Sequence, residues 1–203
     1  VRVVLVLGMP RAENAQEMFA RVTELGIPVD TYDAASEKQR ERLMAADIIL
    51  DSVFGTGFAG ALPDGLAALF AFLEKCKGYV ISIDLPSGLS ADSGEFLSTP
   101  VRADLTVSVM ALKRSLVTYP ARGYAGEIQV VSIGIPEGLY KPYEKEFAFT
   151  DADVTALFPP RRDDAHKGDF GKALVVAGSY EMPGAALLSS SAAVECGAGL
   201  VRL

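Results

Sequence analysis

The order of apolar runs and amphipathic segments predicts a doubly wound α/β fold, a three-layer sandwich with helices on both faces of a mostly parallel sheet. Three observations predict it. Short, nearly continuous apolar runs have the texture of strands buried on both faces. Helical segments with one apolar face separate them. The alternation then begins afresh near residue 172, which predicts the first elements of a second α/β domain.

Each element follows from local pattern. VRVVLVLG, residues 1–8, is a strand ending in glycine. Ala15, Met18, Phe19 and Val22 repeat at helical spacing, and Gly26 supplies a stop. IPVDTY is the second strand, followed by a helix whose Ser36 and Gln39 form a capping-box pattern before Leu43 and Met44. DIIL is the third strand. The third helix starts near Pro63, sets Leu66, Leu69, Phe70 and Leu73 on one face, carries Lys75 and Lys77 in its last turn and ends at Gly78. YVISID, DLTVSVM and EIQVVSIG continue the strand series. Between residues 136 and 168 the texture turns polar and proline-containing, with a short helix over 151–157, and reads as an interdomain connection. KALVVAGS, the small-residue helix PGAALLSSSAAVECG and the strand GLVRL follow.

Composition excludes several classes of function. With 203 residues, 50% of them hydrophobic, the chain can bury a sizeable core. Its net charge of −7, with basic residues such as Arg40 and Arg42 interleaved with Glu37 and Glu41, leaves no basic stripe for nucleic acid. No apolar run approaches the ~18 residues of a membrane span, and no signal-peptide pattern is present. Two distant cysteines, Cys76 and Cys196, suit free thiols in the cytoplasm. Val1 opens directly into a strand, so the chain is expected to be cut from a longer protein.

The chemistry concentrates at two strand ends. Asp51 and Asp84 each close an apolar run, about one strand–helix–strand unit apart, so neighbouring strands would put both carboxylates on one rim. Such a pair holds a cation, shares a proton, or divides into an acid and an anchor. After Asp51 comes GTGFAGA, whose backbone N–H groups can approach an oxygen-rich ligand. No Lys-Ser/Thr follows it, so it is not a P-loop; its G-x-G-x-x-G spacing lacks the surroundings of a dinucleotide fingerprint. Tight turning alone, or helix capping by a single aspartate, is the bland alternative. His166, the single histidine, reads as a surface residue and Ser189, Ser190 and Ser191 as close helix packing; Lys113 is placed to reach the same rim but reads as a solvated strand-end lysine.

The motifs ILDSVFGTGFAG, SIDLPSGLSADSG, VRADLTVSVMALKRSL and GYAGEIQVVSIGIP, in that order over residues 1–147, resemble the NAD(P)H-hydrate epimerase family, a Rossmann-like domain. Residues 148–203, a linker followed by HKGDFGKALVVAGSYEMPGAALLSSSAAVECGAGLVRL from residue 166, resemble the start of ADP/ATP-dependent NAD(P)H-hydrate dehydratase, a ribokinase-like domain. The resemblance implies that Asp51 and Ser87 bind a potassium ion. It implies that Gly55, Thr56, Gly57, Phe58, Ala59, Gly60 and Ala61 contact the substrate's phosphates, that Asp84 binds the hydrated nicotinamide, and that Ala185 neighbours the second domain's substrate; inversion at the hydrated carbon asks for one acid/base group, and Asp84 is the expected catalytic residue. Hydrated NADH or NADPH is then the substrate, ADP or ATP the cosubstrate of the dehydratase half, and a homo-oligomer the expected assembly. The family's asparagine- and glycine-rich segment would precede VRVVLVLG, so these residues alone are expected to be inactive. A nucleotide-binding oxidoreductase and a non-catalytic binding module of the same fold are the rival readings.

Overall fold

In the computed structural model, which describes residues 1–63, 65–96, 99–158 and 160–203, the apolar runs become parallel strands. Contacts divide the chain into two units, Val1–Glu146 and Phe147–Leu203.

The first unit opens with β1 (Val3–Leu5), α1 (Glu13–Glu24), β2 (Val29–Thr31) and α2 (Glu37–Met44). β1 and β2 pair in parallel as a two-stranded sheet. Neither helix buries a residue fully; the predicted apolar face of α1 exists as a stripe that is half-buried at Phe19 and Val22, while Met18 is exposed. Only half of the capping box at α2 forms. Ser36 accepts the Gln39 N–H, whereas the Gln39 side chain turns away, donating to the Thr31 carbonyl and accepting from the Asp33 N–H. It thereby ties α2 to the end of β2.

A second sheet has the order β3–β4–β5–β6, all parallel: β3 (Ile48–Asp51), β4 (Tyr79–Ile83), β5 (Leu105–Val109) and β6 (Glu127–Val131). One face of its first three strands is buried, bearing Ile49, Asp51, Val80, Ser82, Thr106 and Ser108. On the other face of β3, Ile48 and Leu50 are exposed, so burial alternates with the period-2 geometry of a strand. Between β3 and β4 runs α3 (Leu66–Leu73), whose Leu66, Leu69, Phe70 and Leu73 pack with Ile49, Val80 and Val101 in the main core. The helix begins at Leu66 behind a left-handed Gly65, later than Pro63, and stops at Leu73, before Lys75 and Lys77. Its end tightens into three-residue turns, Lys75 N–H to Phe72 and Cys76 N–H to Leu73, so the lysines fall outside the helix. Cys76 is free, and burial pushes its thiol pKa up.

A smaller cluster of Leu85, Leu89, Leu116, Ala121 and Ala125 forms around the single turn α4 (Arg114–Val117) and the 3₁₀ turn Ala121–Tyr124. Beyond β6 come α5 (Glu137–Tyr140) and the 3₁₀ turn Lys141–Tyr143.

The second unit holds α6 (Asp151–Leu157), at the expected residues, a 3₁₀ turn Lys167–Phe170, the parallel pair β7 (Lys172–Leu174) and β8 (Leu200–Arg202), and α7 (Gly184–Glu195) between them. Pro159, in the predicted connection, lies outside the described residues. No helix among the described residues is long and apolar enough to cross a membrane.

Candidate functional site

β3 and β4 are neighbours, with Asp51 in register with Ser82, so the Asp51 side chain emerges on the buried face beside the turn that follows β4. It is only 3% exposed. Ser82 Oγ and the Ser87 N–H donate to Asp51 Oδ2 at 2.8 and 2.9 Å, and Ser87 Oγ donates to Oδ1 at 2.7 Å. The L-P-S-G turn that delivers Ser87 depends on Gly88. Its φ is +99°, and an added Cβ would lie 2.9 Å from Pro100 Cα. Burying a carboxylate is costly unless it is paired and hydrogen-bonded. Here four donors, the fourth being the Val53 N–H to Oδ1 at 3.5 Å, and no Lys or Arg from the described residues surround it. Its hard oxygens, with the Ser87 hydroxyl, fit a cation.

Asp84 occupies the next position along the rim. It follows β4 with φ +74°, a left-handed conformation uncommon outside glycine, while its N–H remains bonded to the Val107 carbonyl at 2.8 Å. That backbone turn sends its carboxylate across to the glycine-rich loop, where Oδ2 accepts the Thr56 N–H at 3.1 Å. Gly55 eases the approach: a Cβ there would lie 3.0 Å from Asp84 Oδ2, a tight contact that would push the carboxylate away. Asp51 and Asp84 make no hydrogen bond to each other among the described residues. Each has its own set of donors.

The loop is fixed at both ends. The Phe54 N–H donates to Ser87 Oγ at 3.0 Å, the Phe58 N–H to the Gly55 carbonyl at 3.1 Å, and the Phe54 and Phe58 rings stack with centroids 3.8 Å apart. Among the described residues, the amides of Gly55, Gly57, Ala59, Gly60 and Ala61 have no acceptor. They remain available to an oxygen-rich ligand at the same rim as the two aspartates.

Two residues on this rim escape a reading by pattern. Ser82 sits inside β4 and looks like core filler, but it donates to Asp51. Lys113 corrects an expectation: its side chain is only 12% exposed, not solvated, and its ammonium forms an ion pair with Asp84 Oδ1. Chain reversal after β5 returns it to the rim. The other predicted positions lie elsewhere. Ala185 is exposed in the first turn of α7, in the second unit. His166 is exposed and paired with Asp169, and Ser189 and Ser191 are exposed on α7 rather than closely packed. A groove of about 520 Å³ between α2 and the end of α3, lined by Glu37, Arg40, Met44, Phe72 and Lys75 among others, contains no rim residue.

Comparison with known proteins gives a consistent result. The family model described as "YjeF-related protein N-terminus" matches residues 1–115. The bifunctional NAD(P)H-hydrate repair enzyme Nnr of Thermofilum pendens is 36% identical over 205 residues, covering 100% of this chain and 38% of that protein. The enzyme of the same name from Coxiella burnetii is 38% identical over 167 residues, 79% of this chain and 33% of that protein. The chain therefore spans under two fifths of the length of these relatives. The crystal structure of yeast ynu0, YNL200c, superimposes with a TM-score of 0.57 at 19% identity, covering 74% of this chain and 63% of that one, a likeness of fold.

Proposed function

The chain belongs to the YjeF-related N-terminal family, and from that premise we propose that it supplies the epimerase part of a nicotinamide nucleotide repair enzyme. The reaction is interconversion of the R and S forms of hydrated NADH or NADPH. In the whole protein it is coupled to ADP- or ATP-dependent dehydration back to NAD(P)H. Support comes from curated relatives named bifunctional NAD(P)H-hydrate repair enzymes. The observation that carries the reading is the Asp84 carboxylate, held at the glycine-rich loop by the Thr56 N–H.

In a hydrated nicotinamide the hydroxyl is on a ring carbon next to nitrogen. Opening of that carbinolamine, or loss of the hydroxyl to an iminium, followed by return to the opposite face, inverts the centre. Asp84 is the residue to exchange the proton that either route requires. The unpartnered loop amides receive phosphate oxygens, and Asp51 with Ser87 would hold a potassium ion, which supplies positive charge beside them. Cys76 and Cys196, both free, suit a cytoplasmic setting. The proposed assembly is a homo-oligomer, with light scattering as its check.

The test is the rate of epimer interconversion, followed by chiral separation, in the whole natural protein containing this chain. Asp84→Asn keeps an oxygen for Thr56 but cannot exchange a proton, so we expect a loss of about 10²- to 10⁴-fold in rate with substrate binding largely retained. A loss confined to binding would make Asp84 an anchor, and a near-normal rate would remove it from the chemistry. The 203 residues alone should turn over negligibly. Tight binding of ordinary NAD(P)H without preference for the hydrate would favour an oxidoreductase instead.

A further inference from the structure

Within the proposed epimerase reading, we infer that Lys113 is the positioning residue for Asp84, locking its carboxylate and the glycine-rich loop into one unit. The sequence separates these two residues by a strand and a long turn, yet the fold brings them into contact. Lys113 Nζ pairs with Asp84 Oδ1, while Asp84 Oδ2 accepts the Thr56 N–H. Each carboxylate oxygen therefore has a different partner, one from the turn after β5 and one from the loop after β3.

The ammonium is itself held. It donates to the Val109 carbonyl at 2.7 Å and to Ser108 Oγ at 3.2 Å, and Ser108 Oγ donates to the Ala111 carbonyl at 2.8 Å. At 12% and 18% side-chain exposure, the Lys113–Asp84 pair is mostly shielded from water. It should therefore be weakened less by solvent than an exposed ion pair.

Backbone geometry points independently to the same pair. Among the described residues, Asp84 and Met110 are the non-glycine positions with positive φ, at +74° and +66°. They follow the ends of adjacent strands, β4 and β5. The left-handed turn at Asp84 sends the carboxylate to the loop, and the one at Met110 reverses the chain so that Lys113 faces it. Asparagine and aspartate tolerate this region, but methionine has no such local compensation, so the left-handed turn at Met110 is the strained one. Left-handed backbone concentrated at the ends of two neighbouring strands is what a fixed pair of side chains would require.

In the whole natural protein, Lys113→Met should lower kcat for epimer interconversion about 10²-fold, the scale of loss when a reacting group is misplaced. KM should change by less than about threefold, because Lys113 makes no contact of its own with the loop amides that receive phosphate and the loop keeps its anchor at Phe54 and Ser87. Lys113→Arg, which retains the charge, should recover part of the rate. The decisive comparison is Asp84→Asn with Asp84→Asn/Lys113→Met. If Lys113 acts through Asp84, the double variant is no slower than Asp84→Asn; if the losses multiply, Lys113 acts separately and the proposal fails. A kcat for Lys113→Met within twofold of the parent also overturns it. Should Lys113→Met fail to fold because Asp84 has lost its partner, the double-variant comparison still decides, since neither charge remains.

Exchange of the Thr56 amide gives a readout that needs no turnover. Lys113→Met should speed it by roughly tenfold as the acceptor carboxylate loosens, and unchanged exchange counts against the proposal. If the parent protein interconverts no epimers, the functional reading fails, while the amide measurement still tests the positioning role.

Discussion

Asp51 shows how a single buried residue constrains its own test. Its two oxygens receive Ser82 Oγ, Ser87 Oγ, the Ser87 N–H and, at 3.5 Å, the Val53 N–H, so Asp51→Ala would strand up to four donors, at about 1–3 kcal/mol for each one left buried and unsatisfied. Asp51→Asn is gentler. With its amide oxygen at the Oδ2 position it still accepts from Ser82 and the Ser87 N–H, and its NH₂ donates to Ser87 Oγ after that hydroxyl rotates. If Asp51 and Ser87 hold potassium, substrate affinity in the whole protein should rise with potassium concentration, and both Asp51 variants should abolish that response. A titration in potassium against choline at constant ionic strength checks it, and a variant that keeps the response rules Asp51 out as a ligand. The positions of Asp51, Ser87 and Asp84 were legible because acids at strand ends and an L-P-S-G turn leave a local signature. Lys113 was legible only as a lysine within reach of the rim, because its being held there depends on the left-handed backbone at Met110, which no sequence pattern announces.

The elements were legible wherever one apolar face met one partner. α3 is the clearest case: Leu66, Leu69, Phe70 and Leu73 were predicted as a face, and all four are buried. The helix's end was less legible, since a change from four- to three-residue turns depends on how residues 74–78 pass the segment that leads into β3. Gly78 shows the constraint, because a Cβ there would collide with the Ala46 carbonyl oxygen. The glutamine of the α2 capping box went to β2 instead, a tertiary bond displacing a local one. Phe70 is fully buried in the main core, so Phe70→Ala should destabilise the first unit by about 3–5 kcal/mol. Urea unfolding followed by circular dichroism measures this. A loss below about 1 kcal/mol would mean that α3 is not the main support of the sheet that presents Asp51 and Asp84.

Across the whole chain, burial is uneven enough to predict an order of opening. The sequence shows eight apolar runs of similar appearance, but which of them pair is decided by tertiary contacts that periodicity does not record. β3–β6 form one sheet over the core containing Phe70, whereas β1–β2 stand as a separate pair whose flanking helices bury no residue fully, Leu43 of α2 packing half-buried against that core. In the second unit the described buried hydrophobic residue is Ala186, and its sheet is the pair β7–β8. Two strands with little apolar cover are marginal by themselves, and local opening follows low burial. Hydrogen exchange on the 203-residue chain should therefore find the amides of β4 and β5 slowest, since both strands are paired on each side. Those of β1–β2 and β7–β8 should exchange at least roughly a hundredfold faster. Strand-end residues that must hold Asp51, Asp84 and Lys113 would then lie in the most protected part of the chain. If protection in β1–β2 instead equals that in β4, the two sheets open as one cooperative body, and uneven burial is not what sets the stability of the rim.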